Sequence, residues 1–255
     1  MYIIQNVDES KAITCVGEED EVKIGGERFL EFTARCCKEG ILPENCYCVR
    51  LYRTTYEGER LVNTTQVNYV DPLDRKQILE ADQELRHQMN IITDFLRKYV
   101  PGYEHCTIKT GASTLGIRES RRFSGKYVMN ISDLREARRF PDVVVHKAQF
   151  VVDIHNPVGG GQANGIAEYV DAYDIPWRSL VPQKMENLIL AGRCISGTHE
   201  AMASYRVMAI AMAIGEAAGI GAALAIDHDV TPENLDVKYI QKALMDKGAV
   251  LFDEK

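Results

Sequence analysis

Cys194 and His199 stand five residues apart in "NLILAGRCISGTHEA" (187–201), between an apolar run and an alanine-rich segment. A thiolate beside an imidazole and a helix N-terminus is nucleophilic, so this spacing could support covalent catalysis. A cysteine and a histidine on one loop more often pack or line a pocket, and catalysis is the lesser reading. In "GIRESRR", Arg118, Arg121 and Arg122 surround Glu119 and follow the apolar Leu115 and Ile117, which predicts at least one inward guanidinium. Such a group clamps a carboxylate or phosphate with two hydrogen bonds, or pairs structurally with the glutamate, and the pattern favours neither. His155 and Asn156 in "DIHNP" are expected to end a strand before a glycine loop. That is a position for a general acid or a substrate hydrogen-bonder, and equally for a satisfied structural histidine.

Other chemistries have less behind them. The loop "GGGQANG" (159–165) lacks both a GxGxxG pattern and the Lys-Ser/Thr of a phosphate-binding loop. It reads as a flexible surface or active-site loop rather than a phosphate cradle. Cys36, Cys37, Cys46 and Cys48 match neither zinc nor ferredoxin spacing, so no metal site is expected. Seven cysteines, an odd count with one adjacent pair, make a poor disulfide framework and read as reduced thiols. "MYIIQNVDESKAITCV" has neither the basic leader nor the apolar core of a signal peptide, so the expected compartment is the cytoplasm. Against 37 acidic side chains stand 30 Lys and Arg, a net charge of -7, which argues against a nucleic-acid partner.

The elements that would position these residues follow from periodicity. "CYCVRLYRTTY" and "RLVNTTQVNYV" predict an antiparallel strand pair around Glu57-Gly58. Ile78, Leu85, Met89, Ile92, Leu96 and Tyr99 share one helical face, with Asp71 as the expected N-cap and Pro101-Gly102 as the stop. A short helix capped by Ser132 and a strand over "DVVVHKAQFVVDIHNP" come next, followed by an extended segment through Pro176 and Pro182. The run "NLILAG" predicts a strand buried in a parallel sheet. Arg206 to Ile226 predicts one buried helix; Glu216 in its middle argues against a membrane span. A final helix ending at Gly248 and a short strand close the chain.

Taken in order, "TLGIRESRR", "DIHNP", "YDIPWRSLVP" and "NLILAGRCISGTHEA", followed by "VMAIAMAIGEAAGIGAALA", resemble the FAD-dependent oxidoreductases of the two-dinucleotide-fold type. The resemblance runs from about Val62 to Phe252. It implies an α+β, α/β chain: a mixed-sheet substrate-covering (cap) domain over 1–185, the C-terminal strand-loop-helix of a Rossmann-like FAD/NAD(P)-binding domain over 186–228, and a helix and strand over 229–255. Gly192, Arg193, Cys194 and Ile195 would contact FAD, and Ser204, Tyr205, Arg206 and Val207 would form a helix entrance facing its ring. A positive helix end there would stabilise charge on the reduced flavin. Arg118, Arg122, His155 and Asn156 would serve an anionic small-molecule substrate. Members of the family begin with a strand, GxGxxG and helix, whereas this sequence begins "MYIIQNVD". The expectation is therefore a truncated chain, one half of a split enzyme, or a remnant, with a separate N-terminal FAD-binding chain or a homo-oligomer as partner.

Overall fold

Alternation in the N-terminal part of the chain becomes antiparallel sheet. The computed structural model describes residues 1–17, 21–154 and 167–253; the glycine loop at 159–165, with His155 and Asn156, lies outside them. Two compact units emerge, one formed by Met1–Ile117 and the other by Arg118–Ile154 with the described residues from 167 onward.

The first unit contains β1 (Tyr2–Gln5), β2 (Lys23–Ile24), β3 (Glu27–Arg28), α1 (Phe29–Lys38), β4 (Arg50–Arg53), β5 (Arg60–Asn63), α2 (Arg75–Tyr99) and β6 (Thr107–Gly111). Its main sheet runs β4-β5-β1-β6, with every pair antiparallel. The expected strand pair is β4 and β5, in register from Arg50↔Asn63 to Arg53↔Arg60. Tyr2, Ile4, Leu51 and Val62 point into the core, where Ile92, Phe95 and Leu96 of α2 meet them. The helix caps differently from the expectation: Asp74, not Asp71, accepts from the Lys76 and Gln77 N–H groups. Asp71 turns instead to the Leu73 N–H, and Gln77 Nε2 donates to Asp74, which favours the later start.

In the second unit, α3 (Ile131–Arg135) is followed by β7 (Val143–Ala148), β8 (Tyr173–Pro176), α4 (His199–Tyr205), α5 (Met208–Asp227) and α6 (Val237–Asp246). Strands β7 and β8 pair antiparallel. Asn130 rather than Ser132 caps α3: its side chain accepts from the Ser132 N–H while Asp133 accepts from the Asn130 N–H. This reciprocal box satisfies two donors at the helix start, the Ser132 and Asn130 N–H groups.

Three further expectations are corrected here. Leu188–Leu190 is not a strand; only Leu190 is buried, and its N–H donates to the Leu180 carbonyl at 2.8 Å. A parallel strand needs hydrogen-bonded neighbours, and the described sheets are all antiparallel. The helix expected from Arg206 forms as α5, starting two residues later because Val207 is extended (φ -70, ψ 151) and separates it from the shorter α4. Nor is α5 buried all round. Ile210, Ile214, Ala217, Ala218, Gly221 and Ala225 face the core, while Met208, Met212 and Ile226 are 83%, 75% and 80% exposed. The closing strand is absent among the described residues too: 249–253 are irregular, with Leu251 buried in the core and Ala249 packed against it.

Candidate functional site

Three segments of the second unit are laced together by backbone hydrogen bonds. Phe123 N–H donates to the Cys194 carbonyl, Lys126 to Val181, Tyr127 to Arg178 and Met129 to Ser196; Ser196 in turn donates to Ser179 and Thr198 to Met129. The polypeptide preceding α3 is thus fixed against the turn that precedes α4, although about seventy residues of sequence lie between them.

On this frame the "RESRR" side chains meet the "GTHEA" turn. Glu119 pairs with Arg122 through one carboxylate oxygen, and its Oε2 lies 2.5 Å from His199 Nδ1. Arg122 Nε donates to the Gly197 carbonyl at 2.9 Å. Gly197 is held in turn: a Cβ there would stand 2.5 Å from the Tyr205 hydroxyl, so only glycine allows this approach. Tyr205 is fully buried and donates to the Ile195 carbonyl at 3.3 Å; burial holds its phenol well above the usual range, so it remains a donor.

A second acidic residue, Asp153, gathers two arginines. Its Oδ2 accepts from Arg118 Nη1 at 3.2 Å and Arg206 Nη2 at 2.6 Å, and Arg206 also reaches the Asp153 carbonyl. Arg193 Nη1 donates to the Arg118 carbonyl at 3.4 Å. Arg118, Arg122, Arg193 and Arg206 thus gather with Glu119 and Asp153, and among these described residues four positive charges stand against two negative, an excess that suits an anionic ligand. Arg118, with its side chain 51% exposed, and the exposed Arg193 are the accessible ones.

The remaining sequence-derived residues separate into surface and support. Gly192 has φ +64, and a Cβ there would meet nothing within 4 Å, so the turn is open. Arg193 beside it is exposed and Cys194 half-buried. Ile195 is buried. Ser204 is buried, donating to the Phe150 carbonyl at 2.6 Å and sharing a 2.8 Å bond with Tyr173, whose phenol burial pushes up to about 12. Arg206 and Val207 form the break before α5, which opens without a side-chain cap. The sequence proximity of Cys194 and His199 does not become a dyad: the thiol donates to the Ala191 carbonyl at 3.2 Å, and the imidazole faces Glu119. Sequence reasoning passed over Asp153 as a partner of the arginines; it offered Glu119 as one, and missed only the contact of Glu119 with His199. Both acidic residues lie inside the quoted motifs "RESRR" and "DIHNP", which was the available signal.

No curated protein and no solved structure matches the chain. A family model described as FAD dependent oxidoreductase matches residues 1–244, nearly the whole length, and the chain therefore belongs to the FAD-dependent oxidoreductase family.

Proposed function

We propose that this chain takes part in flavin-linked redox chemistry, with hydride moving between N5 of FAD and an anionic small molecule. The observation that carries the reading is the family match over residues 1–244. FAD, when bound, supplies the two-electron chemistry. Part of the expected contact set fits such a group. The open turn at Gly192 lets a ligand approach the backbone closely, and the exposed Arg193 adds positive charge for a pyrophosphate. The first N–H groups of α5 have no side-chain acceptor and present the positive end of a twenty-residue helix. Ile195, Ser204 and Tyr205 fit a different role: their side chains are buried and support the turn from beneath. Arg118 orients the substrate anion, while Arg122, committed to Glu119 and Gly197, braces the loop.

The test is flavin uptake by the purified chain, followed by absorbance and fluorescence quenching. Uptake is expected, and Gly192→Val should weaken it by placing a branched side chain at a positive φ in the turn. A folded chain that takes up no FAD would sink the reading.

The exposed face of α5 favours a second reading, a binding or assembly module without flavin. Met208, Met212 and Ile226 line this face, and apolar surface of that kind is normally covered. By length and composition α5 could cross a membrane. Glu216, exposed near its middle, favours a protein cover, another copy of the chain or a second polypeptide, over lipid. Sedimentation with and without vesicles separates the two: self-association that disappears in Met212→Glu supports a protein cover, and vesicle binding refutes it.

A further inference from the structure

The Glu119–His199 contact is built with more support than a surface ion pair has. Carboxylate oxygens only accept, so at neutral imidazole the hydrogen in the 2.5 Å contact must sit on Nδ1. That leaves Nε2 with its lone pair bare, on a side chain that is 58% exposed. Glu119 is itself held by Arg122, Arg122 by the Gly197 carbonyl, and Gly197 by the Tyr205 ring. This chain of contacts fixes the carboxylate, and through it the ring. Exposed ion pairs between long side chains lack such bracing and are worth little. Glu119 and Arg122 are the charged groups facing the imidazole.

We propose that His199 is an acid–base residue of this site, exchanging a proton at Nε2 with the hydroxyl or amino group of a bound substrate, and that Glu119 is its positioning residue. In the oxidising direction a substrate O–H or N–H bond breaks and an Nε2–H bond forms, while the substrate carbon loses its hydride to a flavin oxidant. The imidazolium left behind is neutralised by Glu119, which keeps its bond to Nδ1–H. The inference rests on the flavin-linked reading for the direction of proton movement, and on the geometry alone for the poised nitrogen.

Two measurements on the full chain test it. Nitrogen NMR of the imidazoles should show His199 as the Nδ1–H tautomer with an unprotonated Nε2, retained in Glu119→Asp and lost in Glu119→Gln. Acylation by diethyl pyrocarbonate at about pH 8, where imidazoles are neutral, should be faster at His199 than at the exposed His87 and His105. In Glu119→Gln that advantage should vanish. An Nε2–H tautomer in the unaltered chain, or acylation no faster than at the other two, overturns the proposal without need of a variant. FAD uptake on the same samples keeps the two ideas apart. The correct tautomer and fast acylation without uptake sink the flavin-linked function and leave a poised base; uptake with the wrong tautomer removes His199 alone.

Discussion

Each unit contains a glutamate bound to an arginine, and the two pairs do opposite things. In the first unit, Arg60 is wholly buried, its Nη1 and Nη2 donating to Glu9 at 2.5 and 2.8 Å, and Glu9 also accepts from the Gly58 N–H. Both guanidinium amino groups turn to Glu9, and the pair fastens the loop after β1 to the sheet. In the second unit Glu119 is shared, one oxygen for Arg122 and one for His199, and the histidine passes the interaction outward. A pair whose polar atoms turn on each other stabilises a fold. One that leaves a nitrogen facing solvent organises a site.

The comparison breaks most readily at Glu9. Glu9→Ala strands the Arg60 charge in the interior and should cost about 3–5 kcal/mol, read as a lowered urea midpoint for the first unit. Acid should act on the same pair. The Arg60 guanidinium holds the Glu9 carboxyl down at about 2, below the ordinary glutamate value of 4.5. A depressed value means that the stabilisation is complete above about 4.5 and is lost as pH falls toward 2. Unfolding followed across that window should show the loss, and Glu9→Gln should flatten it.

Gly197→Ala tests whether the second pair depends on its support. The new methyl must push Tyr205 aside, at a cost of about 1–3 kcal/mol. Because the Gly197 carbonyl anchors Arg122, the His199 tautomer should become mixed, and an unchanged tautomer would show that the bracing is unnecessary. The smallest effect on stability is expected from Glu119→Gln, below about 1 kcal/mol, because the amide keeps an oxygen for Arg122 and the His199 side chain it releases is 58% exposed. A larger loss in calorimetry would make Glu119 a fold residue like Glu9 and erase the contrast.

Much of the first unit was legible because its information is local. The 3.6-residue period of Ile92, Leu96 and Tyr99 wrote α2 directly, and the Val- and Tyr-rich stretches wrote β4 and β5. The start of α2 was read three residues early, at Asp71, and the Gln77 side chain, which donates to Asp74, favours the later cap. The second unit was harder to read. "NLILAG" has the composition of a buried strand, but a strand is defined by its partners, and among the described residues the run has no sheet to join. Of the site, the Gly192 turn and the arginines of "RESRR" were recognisable as chemistry, whereas their wiring was not. Glu119 and His199 are eighty residues apart, and no local pattern specifies that contact. Cys194 and His199 look paired because they are close in sequence, yet their side chains reach different partners.

The backbone lacing of the second unit sets a schedule for biosynthesis. Between Phe123 and Met129, the backbone groups that carry this lacing find their partners among residues 178–183 and 194–198. During translation the first strip leaves the ribosome long before the others and must wait, its amides bonded to water, until the stretch through Tyr205 has emerged. Closing so distant a connection is slow compared with forming α2, whose bonds span single turns. The first unit can therefore be complete while the chemistry-bearing turn is still unformed, and the proton-exchanging imidazole is among the last parts of the molecule to take its place.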